Sequence, residues 1–445
     1  MKIVLASNGF PPNQIGGAEL RAYRTALGLK RRGHDVQVVT VDDLNCHVAG
    51  LSIRVEELDG LHITRLSFDK SKVPKWQYNN SLIGGYLKNR LKHDPPDLVH
   101  LISGARISGS ATEAARYAGS PVVVTLTEYY WICPRNTLRR SNGNPCRCPA
   151  DHLECVLCLP NKQLNEKLCY PLLNRVTRGL YGKILLFASK SEFLRKKFGV
   201  PSNFDYVRRW RRYLRKTIKQ SNKLIAPSKF LRNMYISAGI PEQLIVFCRQ
   251  GLDQTLWDSD VLEQYRGPLR FGYVGQIVPH KGLYILIQAF LRLTFSTKKV
   301  RLNVFGELDE RSSYGKRLKE LVGNDELIHF AGAFDNRQIP RVFNEIDVLI
   351  VPSVCYENSP NVILEAFACK TPVIASHSSG MAELVMPGIS GDLFPVGDIG
   401  GLSNIMSRVV KEPLIIDRWR ERLPRIKLID EEIAELEQIY ASIIQ

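Results

Sequence analysis

The chain has 445 residues, 44% hydrophobic and 24% charged, a balance ordinary for globular protein with room for two domains of about 200 residues each. No run reaches 18 apolar residues, which excludes a transmembrane helix, and Met1–Asn8 has too short an apolar core for a signal peptide, so a cytoplasmic chain with reduced cysteines is expected. The formal charge of +17 points to an anionic partner: lipid, nucleic acid or substrate.

Residues 3–6 read as a buried strand and Phe10–Gly17 as a Pro/Gly loop. A helix follows over Ala18–Arg32, closed by Gly33, and then a strand over Val36–Val41. This is a βαβ opening with glycines at the first strand-to-helix turn. Gly16 and Gly17 would let backbone approach a ligand phosphate, or they make a plain tight turn. G-x-G-x-x-G and the P-loop are both absent, so nicotinamide and ATP fingerprints are excluded. Asp97–Ile102 and Pro121–Leu126 are further apolar strands, which predicts a parallel sheet. His100, Thr127 and Glu128 fall at or near strand carboxyl ends, where such sheets bind ligands. A histidine inside a strand, as His100 is, is more often a packed core residue than a ligand contact.

Five of the ten cysteines crowd into residues 129–160. In a reduced chain that pattern favours a metal over disulfides, with unliganded thiols as the remaining reading. Cys155 and Cys158 form the near pair of a structural zinc site, with Cys133 and Cys146 (or Cys148) to complete it and His152 as a substitute ligand. From Lys190 to Lys219 eleven basic residues stand against Glu192 and Asp205. Arg208, Arg209, Arg211, Arg212 and Arg215 share helical spacing with Tyr206, Trp210 and Tyr213 interleaved. An interfacial helix on anionic lipid and a plain solvated face both fit. No nucleic-acid recognition motif accompanies the charge, so nucleic acid is not expected as a partner.

Lys223–Ser228 and Ile245–Phe247 read as strands that close the first domain. The second restarts at Phe271–Gly275, and Leu302–Gly306, Ile328–Gly332, Val348–Val351 and Pro372–Ala375 continue it as a second doubly wound sheet. Lys281 sits just before a helix start, where a cation and unpaired N–H groups can share a diphosphate. The stretch Val351–Glu365 organises this half. A buried strand ends at Pro352, a loop carries Glu357, and Ser359 as N-cap with Pro360 at the first position opens a helix. Asn361, Val362 and Ile363 then form the first turn, an anion site, with Glu365 one turn further in. A phosphate seat flanked by two carboxylates suits a ligand with phosphate at one end and hydroxyls on both sides, as in a nucleotide-sugar.

Three ordered elements carry a family resemblance: Lys281-Gly282, Glu357-x7-Glu365, and Gly380 through Glu383. With Gly-Gly-Ala-Glu at residues 16–19, they resemble glycosyltransferase family 4, the retaining enzymes of GT-B fold. The resemblance implies two Rossmann-like α/β domains facing an interdomain cleft. Residues 1–250 would be the acceptor-side domain, carrying the Cys-rich insert at 129–160 and the basic stretch at 190–219. Residues 251–425 would bind the nucleotide-sugar, and residues 426–445 would form a helix returning to the first domain. It implies donor contacts at Gly16, Gly17, Gln276, Asn361, Val362, Ile363 and Glu365, with Glu365 on the ribose and Glu357 on the transferred sugar. Lys281 and Glu357 would serve the chemistry, with no cofactor required. Two departures stand out. Gln276 occupies the position of the family's phosphate-binding arginine, and Thr127 or Glu128 that of its acceptor-side histidine. Transfer to a saccharide or lipid-linked acceptor, at the inner membrane face, is the implied setting; a nucleotide-sugar binder that has lost catalysis is the alternative.

Overall fold

The protein is described here by a computed structural model covering residues 1–47, 49–73, 77–141, 143–159, 184, 187–191, 199–253, 267–293 and 300–444. Two compact units divide it. The first comprises 1–227, 232–248 and 433–445; the second comprises 228–231 and 249–432.

The first unit is built on an eight-stranded sheet. In chain order its strands are β1 (Lys2–Ser7), β2 (Asp35–Val41), β3 (Leu51–Leu58), β4 (Leu61–Phe68), β5 (Leu98–Ile102), β6 (Val122–Thr125), β7 (Lys223–Ala226) and β8 (Ile245–Phe247). The spatial order is β3-β4-β2-β1-β5-β6-β7-β8, parallel except for the β3–β4 hairpin at one edge. That hairpin turns on Asp59-Gly60, both at positive φ (51° and 72°), as a two-residue turn matched to strand twist requires. The sequence reading passed over it. Ile3, Leu5, Val38, Leu98, Leu101 and Val123 have no solvent exposure, which is why these central strands read as unbroken apolar runs.

The second unit has six parallel strands: β9 (Leu269–Val274), β10 (Val300–Phe305), β11 (Ile328–Gly332), β12 (Val348–Val351), β13 (Val373–Ser376) and β14 (Gly391–Phe394). Their order is β11-β10-β9-β12-β13-β14. One apolar cluster, with Phe271, Leu286 and Trp419, packs on one side; another, with Phe343, Ile363 and Phe367, packs separately. Both sheets are doubly wound, and the architecture is that of two Rossmann-like α/β domains.

His100 is a core residue. Its ring is fully buried on β5, with Nε2 2.7 Å from Thr125 Oγ1 and Nδ1 2.7 Å from the Tyr440 hydroxyl. Both nitrogens are engaged, so the acceptor-side contact expected of His100 has no free atom to make it. The imidazole instead ties the last helix, Ile429–Ile444, to the sheet. Burial, and then the nearby Arg21 charge, hold His100 down to about 3. An unfolded histidine takes up its proton near 6.5. Between about 6.5 and 3 the unfolded chain therefore binds a proton that the native chain does not, and stability falls as pH falls through that interval. In His100→Gln this part of the pH dependence should vanish. Denaturant midpoints measured from pH 7 to 4 should fall less steeply than in the parent, whatever their absolute level, and parallel curves would refute the assignment.

The basic helix Gly199–Lys219 packs its aromatic side chains inward. Trp210 is buried, the Tyr206 hydroxyl donates to Gln77, and that of Tyr213 donates to Glu113. The aromatic face that would have entered lipid is turned into the protein. Arg209, Arg212, Arg215, Lys216 and Lys219 remain exposed, so the outward side is strongly charged. No described helix is long and apolar enough to cross a membrane.

Candidate functional site

In the second sheet the strand order reverses between β9 and β12, and ligands in such sheets settle beyond the carboxyl ends at that reversal. The loop after β9 delivers Lys281 there, and the loop after β12 delivers Glu357. Their contact is direct: Lys281 Nζ donates to Glu357 Oε1 at 2.8 Å. The loops are pinned together by the Val354 N–H on the His280 carbonyl at 3.0 Å. Gly282 is left-handed (φ 77°), and a Cβ there would meet the Pro352 carbonyl oxygen at 2.0 Å. Only glycine fits both constraints.

Two more groups converge on Glu357 Oε1: the Ser353 hydroxyl at 2.9 Å and the Cys355 thiol at 3.5 Å. Burial works to raise the Glu357 carboxyl. The Lys281 charge and the three hydrogen bonds outweigh it and hold the group below its ordinary value. Burial likewise opposes the Lys281 ammonium, and Glu357 outweighs it, leaving Lys281 raised. The pair is thus ionised throughout neutral pH.

Beyond this loop the helix is Asn361–Ala368, one residue shorter at its start than expected. Pro360, not Ser359, is the N-cap, with no side-chain cap bond. The Ser359 hydroxyl is buried without a partner among the described residues. Gln250 takes up the role instead, its Nε2 donating to the Ser359 carbonyl at 3.0 Å and to Asn361 Oδ1. Of the first-turn amides, that of Ile363 is turned onto the Pro360 carbonyl at 3.2 Å, and its side chain lies in the core. Ile363 is therefore not available to a ligand as expected. Asn361 and Val362, half-buried, remain in the first turn, where N–H groups lack intrahelical acceptors. Glu365 is buried at 6% exposure in the same helix. Burial and then Glu365 push the neighbouring Cys369 thiol up to about 12. Gln276 is exposed in the β9 loop, its carbonyl accepting from the Tyr273 hydroxyl at 2.7 Å and the Val278 N–H at 3.1 Å.

The sequence reading missed four supports. Ser353 and Cys355 lie four and two positions before Glu357 and were legible in principle. Gln250 and Ser228, whose hydroxyl donates to Asn358 Oδ1 at 2.7 Å, come from over 100 residues away. A local motif carries no signal of them. Glu383 accepts from the N–H groups of Lys229 (2.9 Å) and Phe230 and pairs with Arg249 at 3.5 Å.

In the first sheet the reversal falls between β1 and β5. Gly16 is the extended N-cap of the helix Gly17–Arg31 that follows β1. Beyond β1, β5 and β6 lie Asn8, Ser103 and Glu128. Glu128 Oε1 accepts from Asn8 (3.2 Å), Ser103 and the Ala105 N–H (3.2 Å), and Oε2 accepts from Asn136 (2.6 Å). This carboxylate knits the loop ends together; Thr127 beside it is half-buried. Cys133, Cys146, Cys155 and Cys158 line one pocket further along the insert.

Two α/β domains of this kind define the GT-B fold, and comparison with known proteins agrees. Residues 268–412 match the family model described as glycosyl transferases group 1, and residues 16–153 match that described as a glycosyl transferase 4-like domain. Together these matches take in more than half of the chain, which belongs to the group 1 glycosyltransferases. Among curated relatives, the amylovoran biosynthesis glycosyltransferase AmsK of Erwinia amylovora is 27% identical over 42% of this chain and 47% of its own. The lipopolysaccharide 1,2-N-acetylglucosaminetransferase of Salmonella typhimurium is 28% identical over 38% of this chain and 48% of its own. The aligned part thus spans about half the length of these relatives. Among solved structures, Anabaena HepE in complex with UDP and glucose superposes with a TM-score of 0.64 at 16% identity, covering 99% of this chain and all of its own. Sucrose-phosphate synthase from Thermosynechococcus elongatus also gives 0.64 at 16% identity, over 99% and 98%. At such identity these two speak for the fold.

Proposed function

We propose that this protein is a retaining glycosyltransferase of family 4. It moves a hexosyl group from a nucleoside-diphosphate sugar to a saccharide or lipid-linked acceptor in glycan assembly. The observation that carries the reading is the Lys281–Glu357 ion pair beside the start of helix Asn361–Ala368, at the reversal of the second sheet. The β-phosphate rests on the amides of Asn361 and Val362 and on Lys281, and Glu365 holds the ribose hydroxyls. Glu357, kept ionised and aimed by Ser353 and Cys355, hydrogen-bonds the transferred sugar. In the reaction the bond from C1 to the phosphate oxygen breaks, and the acceptor oxygen bonds to C1 on the same face. The departing phosphate takes the acceptor proton, while Lys281 and the helix end stabilise its growing charge. The relatives named for amylovoran and lipopolysaccharide synthesis support a glycan setting.

The test is to incubate the protein with a panel of nucleoside-diphosphate sugars and saccharide acceptors, then follow released nucleoside diphosphate and the anomeric configuration of the product by NMR. A product that keeps the donor's configuration supports the reading, and an inverted one overturns it. Binding without released nucleotide would favour a non-catalytic binder, which uncharged Gln276 in the β9 loop motivates. The exposed charge on Gly199–Lys219 supports docking on an anionic membrane surface by electrostatics alone. Co-sedimentation with anionic vesicles should then disappear at high salt, and salt-resistant binding would sink that part.

A further inference from the structure

The insert that follows β6 has no place in the donor chemistry above, yet it concentrates thiols. Cys133, Cys146, Cys155 and Cys158 are drawn from three separate backbone segments and line a single pocket with Arg135, Arg139 and Arg140. Each segment is fixed by main-chain bonds. The Cys133 N–H donates to the Tyr129 carbonyl at 2.8 Å. Residues 138–141 and 143–146 fold back on each other as a small knuckle, with the Cys146 N–H on the Leu138 carbonyl at 2.7 Å and an antiparallel bridge between Arg139 and Pro145. Cys155 and Cys158 share one turn of the helix His152–Cys158, whose N-cap Asp151 accepts from the Glu154 N–H at 2.8 Å. A knuckle cysteine facing a Cys-x2-Cys on a helix is the arrangement that closed, four-thiolate sites use.

We propose that these four cysteines bind a structural zinc ion. None of them is disulfide-bonded, and among the described residues the buried apolar cluster under this helix is small: Leu153, Cys155, Val156, Phe204 and Val207. A loop of this length with so little apolar support is the kind of element that gains its order from a metal. The surroundings suit a site of net charge −2. Arg211 Nη2 donates to Cys155 Sγ at 3.2 Å and to the Ala150 carbonyl at 3.0 Å, while Arg135 Nη1 holds the Cys158 carbonyl at 3.0 Å. Among the described residues, no three His, Cys, Asp or Glu side chains stand in ligating positions as they are. Two of the thiols donate to loop carbonyls: Cys146 to Arg147 at 3.6 Å and Cys158 to Arg139 at 3.8 Å. A thiolate has no proton for those carbonyls, and rotation about the Cα–Cβ bond between staggered wells redirects Sγ to the shared ion. Cys148 does not line the pocket and is the spare.

Elemental analysis of full-length protein purified without chelator should find about one zinc per chain by stoichiometry, released when the thiols are titrated with a mercurial. Cobalt exchanged into the site should show the visible bands of tetrahedral thiolate coordination. Cys148→Ser should retain the metal, and Cys155→Ser should lose it. A folded parent protein without zinc, iron in its place, or metal lost from Cys148→Ser as readily as from Cys155→Ser would each overturn the assignment. Because the parent and Cys148→Ser carry the decision, insolubility of Cys155→Ser does not obscure it. Metal content is read without any activity measurement, so this result and that of the transfer test stand apart.

Discussion

Lys281→Ala is expected to lower turnover by about 10²–10³-fold, the scale seen when one group that stabilises a developing negative charge is removed. The lysine is well suited to that role. It is raised, hence charged at neutral pH, and fixed by a 2.8 Å contact to a carboxylate that is itself held ionised. Its side chain is 31% exposed and that of Glu357 is 14% exposed. Water therefore screens the pair in part, and the stability cost should fall well below the ~3–5 kcal/mol of breaking a fully buried pair. Rate should suffer far more than melting temperature. Glu357→Gln should lower kcat as well, because an amide can replace the hydrogen bond but not the charge. The double variant should be little worse than Lys281→Ala alone, since the two act as one unit. Glu365→Ala should instead act mainly on KM for the donor. Steady-state kinetics with a defined donor separates these outcomes. A fully active Lys281→Ala would remove the lysine from the mechanism, and additive losses would mean that the two residues serve independent steps.

How far the sequence carried this picture depended on whether a signal was local. The stretch from β12 into the helix Asn361–Ala368 was legible because one apolar run, two prolines and one first turn lie within twenty residues. Its cap was misjudged for a physical reason. Ser359 is a good N-cap by type, but Gln250 arrives from a distant segment to bind the Ser359 carbonyl and Asn361, and the helix starts a residue later. The basic helix shows the same limit. Spacing interleaved Tyr206, Trp210 and Tyr213 with the arginines of a cationic helix face. Periodicity alone does not say whether such a face meets lipid or protein; Gln77 and Glu113, far off in sequence, decide it. His100 was placed on a strand end with core packing as the other reading, and Tyr440, 340 residues later, settles it as core.

Gly380 is where a distant contact should be felt most sharply in activity. Its backbone is ordinary, φ −66° and ψ −17°, so alanine would be content there on conformational grounds. The obstacle is space. A Cβ at residue 380 would stand 1.7 Å from the Asn358 carbonyl oxygen and 3.0 Å from that of Glu357. Both are main-chain atoms, which cannot swing aside as a side chain would. The Gly380 N–H also donates to the Glu357 carbonyl at 2.9 Å, so the turn before Met381–Leu384 is the floor on which the Glu357 loop lies. Alanine must push that loop away and with it the carboxylate that Lys281, Ser353 and Cys355 hold. Overpacking of this kind costs about 1–3 kcal/mol, and a shift of about 1 Å in a catalytic group costs about 10²-fold in rate. Gly380→Ala should therefore fold, melt at a lower temperature and lose most of its turnover. Gly85→Ala is the control. That glycine sits exposed in the helix Ser81–His93, a Cβ there meets nothing within 4 Å, and the substitution should stabilise by about 0.5–1 kcal/mol without changing rate. Equal activity in the two variants would mean that the Glu357 loop does not depend on the turn beneath it.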